Sequence, residues 1–353
     1  NYKNAAIWFR PFFNSANMKF HYEFPIQKIA TPLMHYHKVL MMGSCFTENI
    51  GHLLKSHCFT VLENPNGILF NPISVVEAVE SYINQKQIVE SDLFLLNETW
   101  HSWKHHSRFS GITRSDAVTK INTATTTAAR YLKTANHLMI TLGSAWVYRL
   151  TDAADGLAGS VAANNHKAPA AWFNRELLTA TATQEMLQQM INRLLEYNPH
   201  LQIIFTISPV RHLREGVIDN NRSKAVLIQA VHDVTNNNEA VYYFPAYELV
   251  IDDLRDYRFY AEDLVHPNYQ ATQYVWEKFV DACIDNETTK LFKLIKEIKL
   301  AYQHKPFNPE TNQHQQFLKK YAKETAHLIE QYPSIHLNEE LNYFRTGIRN
   351  QQL

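Results

Sequence analysis

The chain has 353 residues, of which 45% are hydrophobic and 12% are aromatic, so it can bury a large core. Lysine plus arginine and aspartate plus glutamate both number 34, and without an overall positive charge no nucleic-acid partner is expected. The three cysteines have no repeating spacing, which argues against a disulfide framework and against a zinc site.

Residues 1–17 precede the first methionine, Met18, and contain an apolar run that is too short and interrupted for a signal peptide. We expect a translation-start artefact or a disordered extension. The alternative is a peripheral membrane contact through aromatic side chains, namely Trp8, Phe9, Phe12 and Phe13. No apolar run approaches the ~20 residues of a membrane-spanning helix, so no integral membrane segment is predicted. Without targeting signals, a cytoplasmic location is the default expectation.

Strand-like and helix-like segments alternate after this extension. Apolar runs predict buried strands over residues 39–42, 137–142, 201–208 and 241–244. Apolar residues at helical spacing predict helices over residues 48–57, 74–85, 115–135, 181–197 and 223–235, and residues 151–167 are predicted to form a loop. The alternation predicts an α/β domain over residues 18–285, in which helices cover both faces of a parallel sheet.

The composition changes after this domain, because residues 286–353 are charged and rich in glutamine. Apolar residues recur there at helical spacing: Leu291, Phe292, Ile295, Ile298, Phe317, Tyr321 and Leu328. The pattern predicts a helical C-terminal appendage that packs on the core or forms a homo-oligomer through its helices. A partly frayed tail is the alternative.

The turn that follows the first predicted strand contains the residues most suited to chemistry. Gly43 ends the strand, and Ser44 and Cys45 follow it before a predicted helix. Such a turn exposes a hydroxyl or thiol and points helix N-terminal N–H groups at an anion formed beside it. Far downstream, Asp263 and His266 supply a carboxylate and an imidazole three residues apart. A nucleophile, a base and a group to orient the base predict a hydrolase of ester or acyl bonds.

These residues resemble the GSCFA family, a branch of the SGNH/GDSL-like hydrolase superfamily named for such a motif. Residues 43–47 read Gly-Ser-Cys-Phe-Thr, with Thr47 where the family name has alanine. Further stretches similar to the family, in the right order, are residues 66–72, 141–146, 164–167, 208–212 and 254–266. The resemblance covers roughly residues 35–280 and is not expected to reach the C-terminal appendage.

The resemblance implies a flavodoxin-like three-layer α/β/α fold with the nucleophile after the first strand. In SGNH enzymes the third residue of a Gly-Asp-Ser triplet attacks; here Cys45 has that position and Ser44 has the position of the aspartate. Cys45 is a candidate nucleophile whose pKa a helix N-terminus or a histidine would lower, and Ser44 is the candidate if Cys45 is only a buried apolar residue. His266 is expected to be the general base and Asp263 to orient it, unless Asp263 caps a helix or pairs with an arginine.

The same resemblance implies an oxyanion hole made by the nucleophile's own N–H, a glycine N–H and an asparagine amide. Gly43 and Gly67 are the candidate glycines. Ala145 stands where the asparagine is expected, so the amide must come from elsewhere. Asn165, beside His166, is the candidate donor, and the alternative is that this polar loop is only solvated.

Residues 208–212 follow a predicted strand, at the sheet edge where open α/β sheets place their ligands. Ser208, Arg211 and His212 are candidate contacts for an anionic or sugar-like substrate; ordinary surface charge is the alternative.

The expected substrate is an acyl ester of a carbohydrate, a lipid or another small molecule, and no cofactor or metal is expected. Hydrolysis and acyl transfer share one covalent intermediate. The alternative to an enzyme is a catalytically degenerate SGNH-like binding module. It is favoured by the missing oxyanion-hole asparagine and by the shift of the nucleophile from the position that it has in the SGNH motif.

Overall fold

The computed structural model describes residues 21–349, so the prediction for residues 1–17 lies outside the described residues. The strands formed in this range are β1 (Lys38–Gly43), β2 (Thr60–Glu63), β3 (Phe94–Leu96), β4 (Thr99–His101), β5 (His137–Leu142), β6 (Trp146–Leu150), β7 (Val161–Ala162), β8 (Phe173–Leu177), β9 (Gln202–Ile207) and β10 (Val241–Tyr243). The α-helices are α1 (Cys45–Ser56), α2 (Pro72–Ile83), α3 (Arg114–Thr134), α4 (Ala180–Tyr197), α5 (Val217–Asn236), α6 (Ala246–Glu248), α7 (Tyr269–Cys283), α8 (Asn286–Gln303), α9 (Asn312–Gln331) and α10 (Asn338–Thr346).

Five of the strands form a parallel sheet in the order β2-β1-β5-β9-β10. Counted along the chain within this sheet, the order is 2-1-3-4-5, which is the flavodoxin-like arrangement. Strands β1 and β5 are neighbours in its interior, with Val39 opposite His137 and Gly43 opposite Thr141. The predicted flavodoxin-like α/β fold is therefore confirmed.

Helices cover both faces of this sheet, because successive side chains of a strand point to opposite sides. On β1, Leu40 and Met42 pack in one apolar core with side chains of α2, α3, α4 and α5. Val39 and Met41 pack in a second core with side chains of α1 and α7. Strand β1 is buried on both faces, which explains its continuous apolar run.

Several parts of the chain differ from the sequence prediction, among them the unpredicted pair of strands β3 and β4 and the start of α5, which is residue 217 and not residue 223. Strand β2 was not predicted because it is a four-residue edge strand whose side chains are all half-buried. Strands β6, β7 and β8 form a separate antiparallel sheet that follows directly on β5, so the predicted loop over residues 151–167 includes β7. This small sheet lies beside the carboxyl edge of the central sheet, where it lines the cavity described below.

Helices α8, α9 and α10 pack around their own apolar cluster, which includes Ile295, Leu328 and Phe344. Phe292 of α8 also packs against the ring of His57, with centroids 4.2 Å apart, and against Trp276 of α7. The helical C-terminal region is confirmed, and it rests on the α/β core. The boundary at residue 285 and self-association remain predictions. Among residues 21–349, no helix is long and apolar enough to cross a membrane.

Candidate active site

The turn between β1 and α1 requires a residue without a side chain. Gly43 has a φ of +134°, and a Cβ there would stand 2.2 Å from the carbonyl oxygen of Thr141. Ser44 donates its N–H to that same oxygen over 3.1 Å, while the Gly43 N–H donates to Asn64 Oδ1 over 3.0 Å. These contacts start α1 at Cys45, rather than at residue 48 as predicted. They also occupy the Gly43 N–H, so this group is not available as the predicted oxyanion donor.

The structure distinguishes the two candidate nucleophiles by their exposure. Ser44 is the N-cap residue of α1, is 0% exposed, and its hydroxyl has no hydrogen-bond partner. Cys45 is the first residue of the helix, is partly exposed, and is a free thiol. Cys45 is therefore the more accessible of the two residues.

The thiol of Cys45 is not acidic in this environment. Burial raises its pKa above the ordinary value, and the negative charge of Glu48 adds to that rise. The N–H groups of Cys45 and Phe46 at the helix N-terminus, together with the charge of Lys224, lower the pKa by a smaller amount. The expectation of a lowered thiol pKa is therefore wrong, because burial outweighs the helix terminus. The nucleophile needs a group that takes its proton.

Asp263 and His266 form the hydrogen-bonded pair that their spacing predicts. The His266 Nδ1–H donates to Asp263 Oδ2 over 2.6 Å, and the other carboxylate oxygen accepts the backbone N–H groups of Val265 and His266. Leu264 between them has a φ of +56°, which closes this tight turn. The hydrogen bonds lower the pKa of Asp263 to about 2, so it is ionised at neutral pH. With Nδ1 bound, Nε2 of His266 is left to exchange protons.

The loop after β9 holds this pair in place. The Arg211 N–H donates to the carbonyl oxygen of Val265 over 3.1 Å, and the Arg211 guanidinium lies over the ring of Tyr260, 4.1 Å from its centroid. Ser208 is fully buried, and its hydroxyl accepts the N–H of Val210. Ser208 and Arg211 therefore position the loop, and neither lines the cavity described next; their contact with substrate stays a prediction.

A cavity of about 400 Å³ opens beside His212, between the central sheet and the small antiparallel sheet. Its lining residues include four aromatic ones and three asparagines, namely Phe70, Trp146, Tyr148, Phe173, Asn71, Asn164 and Asn165. The His212 Nε2 atom is buried without a hydrogen-bond partner, 3.1 Å from where a Cβ on Gly143 would stand. Burial lowers the pKa of His212 to about 4, with contributions from the charges of Lys224 and His266. His212 is therefore neutral at neutral pH and lies close to both of these groups.

Two further predicted residues, Gly67 and His166, already have hydrogen-bond partners within the fold. The Gly67 N–H donates to the carbonyl oxygen of Asn64 over 2.8 Å, so it is not available to an oxyanion. His166 is buried, with Nδ1 hydrogen bonded to the Ser107 hydroxyl and Nε2 to the carbonyl oxygen of Ser102, both over 2.9 Å. His166 thus fixes the loop, and both Asn165 and His166 are among the residues that line the cavity.

The sequence analysis missed a buried polar group on α5. The Lys224 side chain is 1% exposed, and its Nζ donates to the carbonyl oxygens of Gly143 and Ser208, each over 2.7 Å. Asn220 and Ser223 are buried beside it. Helical spacing in the sequence could have revealed this group, because Asn220, Ser223 and Lys224 lie on the same face of α5 as its buried apolar residues. Those residues are Leu227, Ala230, Val231 and Val234.

Two protein-family models match this chain. The model of the GSCFA family matches residues 38–279, and the model of the GSCFA domain protein C-terminal domain matches residues 295–350. The second match corrects the expectation that the resemblance stops before the C-terminal region. A comparison with curated protein sequences gives no match.

The solved structures similar to this chain include three esterases. A carbohydrate esterase of family 3 from Talaromyces cellulolyticus is 10% identical with a TM-score of 0.34, over 74% of this chain and 99% of that one. A family 3 carbohydrate esterase from Clostridium thermocellum is 8% identical with a TM-score of 0.33, over 73% and 98%. An acetyl xylan esterase from the rumen bacterium Butyrivibrio proteoclasticus is 10% identical with a TM-score of 0.35, over 74% and 64%. Similarity this distant does not establish a shared activity.

Proposed function

We propose that this chain, which belongs to the GSCFA family, cleaves acyl esters with Cys45 as its nucleophile and the Asp263–His266 pair as its proton-transfer group. The observation that supports this most is the position of Cys45. Its partly exposed thiol lies at the N-terminus of α1, on the sheet edge that also presents an imidazole oriented by a carboxylate. A hydroxyl nucleophile is disfavoured because Ser44 is fully buried.

The chemistry follows from the groups present. His266 takes the proton of the Cys45 thiol, the thiolate attacks the acyl carbonyl carbon to form an S–C bond, and the C–O bond to the alcohol breaks as His266 passes that proton to the alcohol. Water, activated by the same imidazole, then cleaves the thioester and releases the acid. If a second alcohol takes the place of water, the reaction is acyl transfer through the same intermediate.

Three donors are proposed for the oxyanion. The N–H groups of Cys45 and Phe46 belong to the first turn of α1 and have no acceptor within the helix. The third is the Nε2–H of His212, since a neutral imidazole can donate and this atom has no partner of its own. His212 borders Gly143, at the end of the strand where the family resemblance implies an asparagine.

The cavity supports a sugar-like acyl ester as substrate. About 400 Å³ is within the usual range for a small-molecule site. Aromatic rings such as Trp146 and Tyr148 can pack on the apolar face of a sugar, and the amides of Asn164 and Asn165 can hydrogen bond to its hydroxyl groups.

A binding module without turnover is the second candidate. The observation in its favour is the raised pKa of the Cys45 thiol, which leaves little thiolate at neutral pH in the unliganded protein. A hydrolysis assay separates the two candidates. An aryl acetate and acetylated monosaccharides are offered as substrates, and hydrolysis is monitored through the acid that is released. If the protein is an esterase of this kind, turnover is expected to be lost in both Cys45→Ala and His266→Ala and kept in Ser44→Ala. Absence of turnover in the folded protein, or equal turnover in Cys45→Ala, would contradict the proposal.

A further inference from the structure

The cavity between the two sheets is lined by cations and not by carboxylates. Its charged lining residues are Lys167 and Arg214, and no aspartate or glutamate is among the described residues that line it. Asp219, whose carbonyl oxygen accepts the indole N–H of the cavity's tryptophan, has its carboxylate paired with Arg175 and Arg222. Both cavity cations are exposed, and neither forms an ion pair with a carboxylate of the described side chains. The mouth of the cavity therefore carries two positive charges that the described carboxylates do not neutralise.

A tight turn in the loop after β7 places Lys167 at the cavity. The Ala168 N–H donates to the carbonyl oxygen of Asn165 over 2.8 Å, and the two residues between them, His166 and Lys167, have φ of +49° and +60°. A left-handed backbone costs free energy for residues that carry a side chain. The buried ring of His166, hydrogen bonded through both nitrogens, anchors the turn to the rest of the fold. The backbone position of Lys167 is thus set by the fold.

Arg214 reaches the same cavity from a different element. It lies in the short turn Leu213–Glu215 after β9, whereas Lys167 lies between β7 and β8. Its guanidinium carbon is 5.9 Å from the ring centroid of Tyr148, which also lines the cavity. An aromatic ring attracts a guanidinium, and the guanidinium N–H groups form a fork that matches a carboxylate or a phosphate. Two separate loops therefore bring a cation to one cavity.

Two asparagines of the lining add hydrogen-bond donors whose own acceptors are already engaged. Asn71 Oδ1 accepts the Ser74 N–H over 2.9 Å at the N-terminus of α2, and Asn164 Oδ1 accepts the His166 N–H over 2.8 Å. Because a backbone N–H only donates, these contacts fix which side-chain atom of each asparagine is the oxygen. Neither Nδ2 group has a hydrogen-bond partner among the described residues. Each amide can therefore donate to a ligand.

The balance of these groups indicates the charge of the ligand. An ammonium, a guanidinium and two unpartnered NH₂ groups can donate hydrogen bonds but cannot accept them. The N-terminus of α2 adds partial positive charge on the same side, and no acidic residue lies in its first turn. An anionic group accepts several hydrogen bonds at once and neutralises the cations, whereas a neutral hydroxyl does neither.

We propose that the substrate of this cavity is an acylated sugar that carries an anionic group, a carboxylate, phosphate or sulfate, which Lys167 and Arg214 bind at the cavity mouth. The inference rests on the proposed function, because it adds a charge to the sugar-like acyl ester assigned to this cavity. The sugar ring packs on the aromatic residues of the lining, and the amides of Asn71 and Asn164 donate to its oxygens. A neutral sugar binds more weakly because it leaves both cations without a partner.

Binding of sugars without an acyl ester tests this charge preference in the absence of turnover. Methyl glucuronide and methyl glucoside differ only by a carboxylate in place of a hydroxymethyl group, and the third sugar is methyl glucoside phosphorylated on that hydroxymethyl group. Their dissociation constants for the full chain are measured by isothermal titration calorimetry at low ionic strength, where charge contributes most. Inorganic phosphate is titrated separately, to distinguish a free anion from one that a sugar carries.

The variants remove the two cavity cations and leave the fold intact. Lys167→Gln and Arg214→Gln are combined, and the matched control combines Lys86→Gln with Arg130→Gln, a lysine and an arginine outside the cavity lining. Because all four side chains are exposed, neither double variant is expected to unfold. Asn164→Asp is the third variant, since it keeps an acceptor for the His166 N–H but replaces the NH₂ group by a negatively charged oxygen.

At least one charged sugar is expected to bind the wild type about tenfold or more tightly than methyl glucoside, as for charge-assisted hydrogen bonds. The preference should be lost when both cavity cations are removed, be reduced in Asn164→Asp and persist in the control. Equal affinity for charged and neutral sugars, no binding of either charged sugar, or a preference that survives the loss of both cations would overturn the proposal. Inorganic phosphate that binds as tightly as the charged sugars would overturn it as well.

The outcome separates this inference from the proposed function, because none of these ligands can be deacylated. Charge-selective binding by a protein without esterase activity would keep the anion site and reject the hydrolase. Hydrolysis of neutral acetylated sugars by a protein without charge-selective binding would keep the hydrolase and reject the anion site.

Discussion

Asp263 accepts two hydrogen bonds from His266, one from its Nδ1 ring atom over 2.6 Å and one from its backbone N–H over 3.0 Å. The carboxylate therefore fixes both the ring and the backbone of the histidine that follows it by three residues. Because Nδ1 carries the shared proton, the neutral imidazole has its lone pair on Nε2, which is the atom a general base needs.

Asp263→Asn is expected to reduce kcat by about 10²- to 10⁴-fold with little change in KM, because an amide that donates to Nδ1 selects the wrong tautomer. Steady-state kinetics with an aryl acetate measure both constants. Glu262→Gln is the matched control, since Glu262 is an adjacent exposed carboxylate without a hydrogen bond to His266. Equal losses of kcat in the two variants would contradict a specific role for Asp263.

His212→Ala is expected to lower kcat by about 10²- to 10³-fold, the usual effect of losing one oxyanion donor. His212→Asn, which retains a side-chain N–H donor, should recover part of the loss. Wild-type kcat in His212→Ala would exclude His212 from the oxyanion hole.

Gly43→Ala is expected to destabilise the fold by about 2 kcal/mol or more, through the positive φ and through the clash of its Cβ with Thr141 O. The comparison is Gly159→Ala, where φ is +83° but nothing lies within 4 Å of the new Cβ. Urea denaturation should show a larger loss of unfolding free energy for Gly43→Ala than for Gly159→Ala. The difference between the two losses measures the cost of the steric clash. Equal losses at both positions would show that β1 and β5 are not in close contact at this turn.

Acidification is expected to destabilise the protein through its buried histidines. Burial lowers the pKa of His166 to about 4 from an ordinary 6.5, so in this window the unfolded chain binds a proton that the folded one does not. The free energy of unfolding should therefore fall as the pH falls through 6.5 towards 4. His166→Gln should make this dependence shallower in urea denaturation, whereas the exposed His52→Gln should not. An unchanged slope in His166→Gln would mean that His166 binds its proton equally well in the folded and the unfolded chain.

The fold was predictable because its signals are local. The run at residues 137–142 is apolar and ends at a glycine, and the structure has β5 over the same residues. The short edge strand β2 and the antiparallel sheet were not predictable in this way. Their residues are half-buried or pair with strands distant in sequence, so neither an apolar run nor a regular alternation marks them.

The site was predictable only in part. The Asp263–His266 pair depends on a three-residue spacing, which the sequence contains. Which of Ser44 and Cys45 is buried depends on the geometry of the turn between β1 and α1, which the sequence alone does not give. Lys224 was overlooked because a lysine in an amphipathic helix is usually solvated, and its carbonyl partners come from two strand ends far from it in sequence.

The most direct test of the central claim is to find the acyl group on the protein. The wild type, Ser44→Ala, Cys45→Ala and His266→Ala are mixed with an aryl acetate, stopped in acid within the first turnover, and analysed by intact mass and peptide mapping. We predict an acetyl thioester on Cys45 in the wild type and in Ser44→Ala, removable by hydroxylamine and absent from Cys45→Ala. An acetyl group on Ser44, or turnover of the ester with no covalent intermediate on Cys45, would contradict the account.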